Sequence, residues 1–104
     1  MKNYLLVGLL MGRVEQAMAG LGIPADGVHA ANTFDEARAV LGAHEICAVI
    51  MGAGIALDER LKIVRFAFEQ SDRVCIHMKD RASGAEGFAP FVRQVIALYE
   101  SGGS

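Results

Sequence analysis

Ile46-Cys47-Ala48-Val49-Ile50-Met51, closed by Gly52-Ala53-Gly54, is the stretch on which the fold turns. Its unbroken apolar character shows no alternation of polar and apolar residues, so a strand made from it is covered on both faces. Strands of that kind belong to parallel sheets with helices above and below. The next segment agrees. Leu57 to Gln70 has helical spacing, with Asp58 and Glu59 in the first turn, where the helix dipole is positive.

The same strand-then-helix couplet recurs outward in both directions. Tyr4 to Leu9 is a second continuous apolar run, followed by Val14, Ala17, Met18 and Leu21 at helical spacing, with Gly22 and Pro24 as stop signals. Val28-His29-Ala30-Ala31 is lighter and suits an edge strand. Thr33-Phe34-Asp35-Glu36 has the form of a capping box, in which Thr33 and Glu36 satisfy free N–H groups. Ala37, Val40 and Leu41 make the buried stripe behind it, and Gly42 is the expected end. Downstream, Val74 to Met78 is the fourth run. A polar loop from Lys79 to Gly87 leads to a last helix with Pro90 in its first turn, where a missing N–H costs little.

The sum is an α/β chain, a small three-layer (βα)4 domain of flavodoxin-like, Rossmann-like type. Strands separated by helices run parallel, and right-handed crossovers give the expected order 2-1-3-4. Residues 1–100 form a single domain, and Ser101-Gly102-Gly103-Ser104 reads as a flexible tail.

Composition narrows the function classes. Of 104 residues, 53% are hydrophobic and 21% charged, which suits one packed core rather than a disordered tail. Ten Lys+Arg against twelve Asp+Glu leave a net charge of −2, so nucleic-acid binding is not expected. Only Cys47 and Cys75 occur, both within apolar runs, which favours a reducing, cytoplasmic setting over a disulfide framework. The apolar opening is interrupted by Arg13 and Glu15 and is too short to span a bilayer. It therefore reads as a buried strand rather than a signal peptide, and no membrane association is expected.

The order of elements resembles the receiver domains of bacterial response regulators, reduced to four βα units. The resemblance covers about 95 residues and rests on architecture, not on a motif. Receivers keep an acidic pair after the first strand, where this chain has Val7-Gly8-Leu9-Leu10. The phosphoacceptor aspartate that ends their third strand is replaced by Met51-Gly52. His77-Met78-Lys79 stands where a hydroxyl residue closes the fourth strand, and the fifth strand with its lysine is missing. The resemblance thus implies a degenerate domain that works without phosphorylation, and none of the family's functional residues carries over.

Open parallel sheets bind ligands beyond the carboxyl ends of their strands, where the strand order reverses. In order 2-1-3-4 that point is between the first and third strands. Gly8, Gly12 and Arg13 on one loop, with Gly52 and Gly54 on the other, are the candidates for holding a small anionic ligand or a nucleotide. His77 and Arg81 are expected nearby. The nucleotide signals are incomplete. Gly52-x-Gly54 continues to Leu57 where a third glycine is required, Asn32 replaces the ribose-binding acid, and no Gly-Lys-Ser/Thr occurs. Cys47, Cys75 and His77 are soft ligands without metal-site spacing, so neither metal nor cofactor is expected. Ser71, Ser83 and Thr33 have no histidine placed beside them by local sequence, and no catalytic constellation is legible.

The remaining signal is excess apolar surface. On the third helix Leu57, Leu61, Val64 and Phe68 form a stripe expected to face the sheet. Phe66 then points away and Ile63 lies on the flank. On the last helix Phe88, Phe91, Val92, Val95 and Tyr99 form the expected core stripe, widened by Ile96 and Leu98. Two over-wide helices in a chain this small point to a protein partner, most simply a second copy. Ile63, Phe66, Ile96 and Leu98 are the interface residues this reading selects.

Overall fold

A computed structural model describes residues 3–8, 16–19, 27–52, 54–79 and 87–101. Its strands are β1 (Tyr4–Val7), β2 (Val28–Ala31), β3 (Ala48–Met51) and β4 (Cys75–Met78). Its helices are α1 (16–19), α2 (Phe34–Ala43), α3 (Leu57–Gln70) and α4 (Phe88–Ser101). The strands form one parallel sheet in the order β2-β1-β3-β4, as the alternation of runs predicts. Registers are level across it: Leu6 pairs with both Ala30 and Ile50, and Ile50 pairs with His77.

The central strands β1 and β3 are buried along their whole length because both faces are covered. Side chains alternate between the faces. Leu5, Val7, Val49 and Met51 join a core with Leu41 of α2 and Ile63 of α3. Tyr4, Leu6, Ala48 and Ile50 join another with Ala17 of α1 and Val92 of α4. The domain thus has three layers. No described helix is long and apolar enough to cross a membrane.

The cap of α2 forms with one change. Thr33 Oγ1 accepts the Glu36 N–H at 3.2 Å, but the Glu36 carboxylate reaches back to the Asn32 N–H, at 2.8 Å, rather than to that of Thr33. The helix also runs past Gly42 to Ala43. The His44 N–H closes it on Val40 O at 2.9 Å, with His44 extended, so the expected glycine terminus is not used.

The larger correction concerns α3. Its limits fall as expected, but the face turned to the sheet is the other one. Ile63 and Ala67 are 1% exposed, whereas Leu57, Leu61 and Phe68 are 58%, 53% and 50% exposed. The neighbouring helix explains the rotation. The Glu59 carboxylate accepts the Phe34 N–H of α2 at 3.1 Å, and Phe66 sits edge-on to Phe34 with Arg38 over its ring. Phe66 is therefore half-buried against α2, and Ile63 is a core residue rather than part of an outer surface. In α4, Phe88, Val92 and Val95 are buried as expected. Ile96, 3% exposed, belongs with them and not to a surface; Leu98 is exposed.

Candidate functional site

Beyond the carboxyl ends of β1 and β3 the structure brings Gly8 and Gly52 together, but it occupies the groups that an anion would need. The ladder continues one residue past each strand: Gly8 N–H donates to Ala31 O at 3.1 Å, and Gly52 N–H to Val7 O at 2.9 Å. Lys79 N–H likewise donates to Met51 O at 2.9 Å. These donors are committed to the sheet and cannot also cradle a phosphate. A Cβ on Gly52 would lie 3.5 Å from the Phe88 ring, an ordinary contact distance, so α4 packs beside the sheet end at this position. Gly54 is exposed in the turn before α3. Gly12, Arg13 and Arg81 lie outside the described residues.

His77 belongs to a different place. It faces α4, where its Nε2 pairs with Tyr99 OH at 2.8 Å and the two rings stand perpendicular. Cys75, two residues earlier, shares that face, and its N–H donates to Cys47 O at 3.0 Å. The two cysteines therefore lie on adjoining segments, as the sequence implies; Cys75 is exposed and Cys47 half-buried, and neither is in a disulfide. Beside them the Tyr4 hydroxyl donates to the Glu100 carboxylate. Among the described residues no group of three or more His, Cys, Asp or Glu is placed to hold a metal ion.

The electrostatics of this cluster favour the neutral forms of its tyrosines and histidine. Burial and then the hydrogen bond to Cys75 push the Tyr99 hydroxyl up to about 12. Burial and the Glu100 contact push Tyr4 higher still. Burial lowers His77 below its ordinary value. A hydroxyl that holds its proton and an imidazole kept neutral by burial join the sheet to α4 through their hydrogen bond.

The shifts carry a pH dependence of defined sign. For His77 the folded value is the lower, so the unfolded chain binds the proton first. Stability is then lost as pH falls from about 6.5. For the two tyrosines the folded values are the higher, so stability is lost as pH rises above about 10. Denaturant midpoints should therefore fall on both sides of neutrality, and His77→Gln should flatten the acid limb while leaving the alkaline limb in place. An unchanged acid limb in His77→Gln would mean that His77 does not set it.

Two polar groups have burial that the sequence does not signal. Lys79, the first residue after β4, is 5% exposed, although its polar neighbours in sequence mark it as a surface loop. Arg60 on α3 is half-buried, and its Nε has no hydrogen-bond partner among the described residues. Neither position carries a local signal, because the burial of both comes from the packing around the sheet.

The surface of greatest chemical character is apolar. Leu57, Leu61, Val64 and Phe68 follow one another at intervals of four, three and four residues. That is the spacing of the buried seam between two packed helices. Here Val64 is half-buried and the other three are exposed. Met78 at the end of β4, 43% exposed, and Leu98 of α4, 67% exposed, extend the set.

No family model, curated protein or solved structure is detectably similar to this chain.

Proposed function

We propose that this chain is a non-catalytic interaction domain that acts by docking and that docks first to itself. The observation that carries the reading is the exposed Leu57-Leu61-Phe68 row on α3, which has helix-seam spacing and no partner helix among the described residues. Burying one such side chain contributes roughly 1.5–3 kcal/mol, so a row of them left in water forgoes a stabilisation that a partner restores. The receiver-like architecture fits this role. On that resemblance the positions of the phosphorylation chemistry hold Val7-Gly8 and Met51-Gly52, which leaves docking as the mode of action. That neither Cys47 nor Cys75 is in a disulfide fits a cytoplasmic setting.

Sedimentation velocity across concentrations that bracket a micromolar Kd tests the reading. Dimer should replace monomer as the concentration rises from about 1 to about 100 μM. A single species of 11.1 kDa throughout would overturn it.

A second reading, binding of a small anionic ligand, is supported by the buried Arg60 Nε, which has no hydrogen-bond partner among the described residues and lies in the first turn of α3, the helix that follows β3. On this reading inorganic phosphate or a nucleotide raises the melting temperature, and Arg60→Met removes the effect. A ligand present at a hundredfold excess over its Kd adds about 2.7 kcal/mol, a shift that thermal melts resolve easily. If no anion in such a panel shifts the melt, the second reading falls and the docking reading is untouched.

A further inference from the structure

The observations converge on the open side of the domain beside β4. A four-stranded sheet has two edges, and here they differ. β2 is buried at both ends, while β4 is exposed at both ends and half-buried between. The ladder fixes what β4 presents. Cys75 and Lys79 send their N–H groups inward, to Cys47 O and Met51 O. By the alternation of a parallel pair, Ile76 and Met78 turn their N–H and C=O groups outward. The strand carries no proline and no Lys, Arg, Asp or Glu, the residues that usually blunt a free edge.

Both helical layers continue this edge with apolar flanks. Glu59 and Phe66 place one side of α3 against α2, which packs over β2 and β1. At about 100° per residue, the row Leu57, Leu61, Val64 and Phe68 falls on the opposite side, above β4. On the other layer Glu100 of α4 reaches Tyr4 on the central strand β1. Leu98 and the half-buried Phe91 fall on the flank turned away from it.

We infer that β4 pairs antiparallel with β4 of a second copy about a two-fold axis perpendicular to the sheet. The product is a continuous eight-stranded sheet with α3 packed on α3 and α4 beside α4. This inference rests on the self-association reading and names the surface that performs it. Such an axis keeps each helical layer on its own side and makes the paired helices antiparallel. With strands about 4.8 Å apart, helices seated over adjoining edges are roughly 10 Å apart, the distance of ordinary helix packing. Leu57 of each copy then layers on Phe68 of the other, and Leu61 on Val64. Charge selects the same orientation. Asp58 and Arg65 lie on the outer rim of the row, seven residues apart. An antiparallel copy brings each Asp58 to the same side of the seam as the other copy's Arg65, which within its own helix pairs with Glu69.

Directed cross-linking tests this. In a chain carrying Cys47→Ala and Cys75→Ser, Leu57→Cys and Phe68→Cys proteins are made separately, checked for fold by circular dichroism, and oxidised alone and mixed. The geometry predicts several-fold more covalent dimer in the mixture than in either protein alone. Self-cross-linking of each protein without gain on mixing would overturn the antiparallel arrangement. No cross-link in any sample, while the wild-type chain still sediments as a dimer, would overturn this surface and leave self-association standing. A monomeric wild-type chain would overturn both. Amide exchange at Ile76 and Met78 in the wild-type chain reads the same surface without any substitution.

Discussion

Leu61→Asp is expected to give a monomer with the fold intact, where the wild-type chain forms the proposed dimer. In the isolated chain Leu61 is 53% exposed, so a carboxylate there meets water and changes stability by no more than about 0.5 kcal/mol. In the proposed symmetric dimer the substitution acts twice. Each copy loses the burial of a leucine, roughly 1.5–3 kcal/mol, and each carboxylate is carried into an apolar layer beside Val64. The combined loss is about 3 kcal/mol or more, which raises Kd on the order of a hundredfold or beyond. Sedimentation at concentrations where the wild-type chain is dimeric should show monomer, with an unchanged far-ultraviolet spectrum. Phe66→Asp provides the contrast. That side chain lies against Phe34 and under Arg38, so its loss should lower the melting temperature rather than separate two otherwise sound copies. If Leu61→Asp stays dimeric, the exposed face of α3 is not where the copies meet.

The second large effect comes from which face of α3 is buried. Ile63→Ala removes three buried carbons from a residue that is 1% exposed and touches the core of the sheet. It should cost about 2–5 kcal/mol, a drop in melting temperature of roughly 10 °C or more for a domain of this size. Leu61→Ala, measured below the dimer Kd so that association does not contribute, should cost about 0.5 kcal/mol or less. The ratio between the two is the diagnostic. If the Leu57-to-Phe68 stripe faced the sheet, Leu61→Ala would be the damaging change and Ile63→Ala the mild one.

That reversal marks where the sequence stops being legible. The strands are readable because a run such as Ala48-Val49-Ile50-Met51 must be covered on both faces, whatever covers it. Strand order comes from the handedness of crossovers and the light composition of Val28-His29-Ala30-Ala31. Helix limits are readable where chemistry marks them, as at Thr33 and Glu36, and less so at Gly42, where His44 closes the helix instead. The facing of α3 is not readable, because the helix carries two apolar rows. Spacing alone favours the heavier one, Leu57 to Phe68. The contacts that decide, Glu59 to the Phe34 backbone and Phe66 to the Phe34 ring, join segments 25 and 32 residues apart and have no local trace. The four interface residues that the sequence selects divide for the same reason. Leu98 is exposed, Phe66 is half-buried, and Ile63 and Ile96 are core.

The loop candidates divide according to what their backbones already do. Gly8 and Gly52 adjoin, as a switch point in the strand order requires, yet both N–H groups complete the sheet ladder. Its place near the end of a run puts His77 at the carboxyl edge, but the third position in β4 turns its side chain toward Tyr99. Alternation in a strand is strict, so a shift of one residue in the assumed start decides which layer a side chain meets.

The most direct measurement of the central claim is hydrogen exchange at the amides of Ile76 and Met78 in the wild-type chain, at concentrations well below and well above the dimer Kd. Both N–H groups point away from β3 and should exchange freely in the monomer. Paired to a second β4, they should become protected as concentration rises, while the amides of Cys75 and Lys79, already bonded to β3, remain protected at both. Unprotected Ile76 and Met78 in a sample that is fully dimeric would contradict pairing through β4.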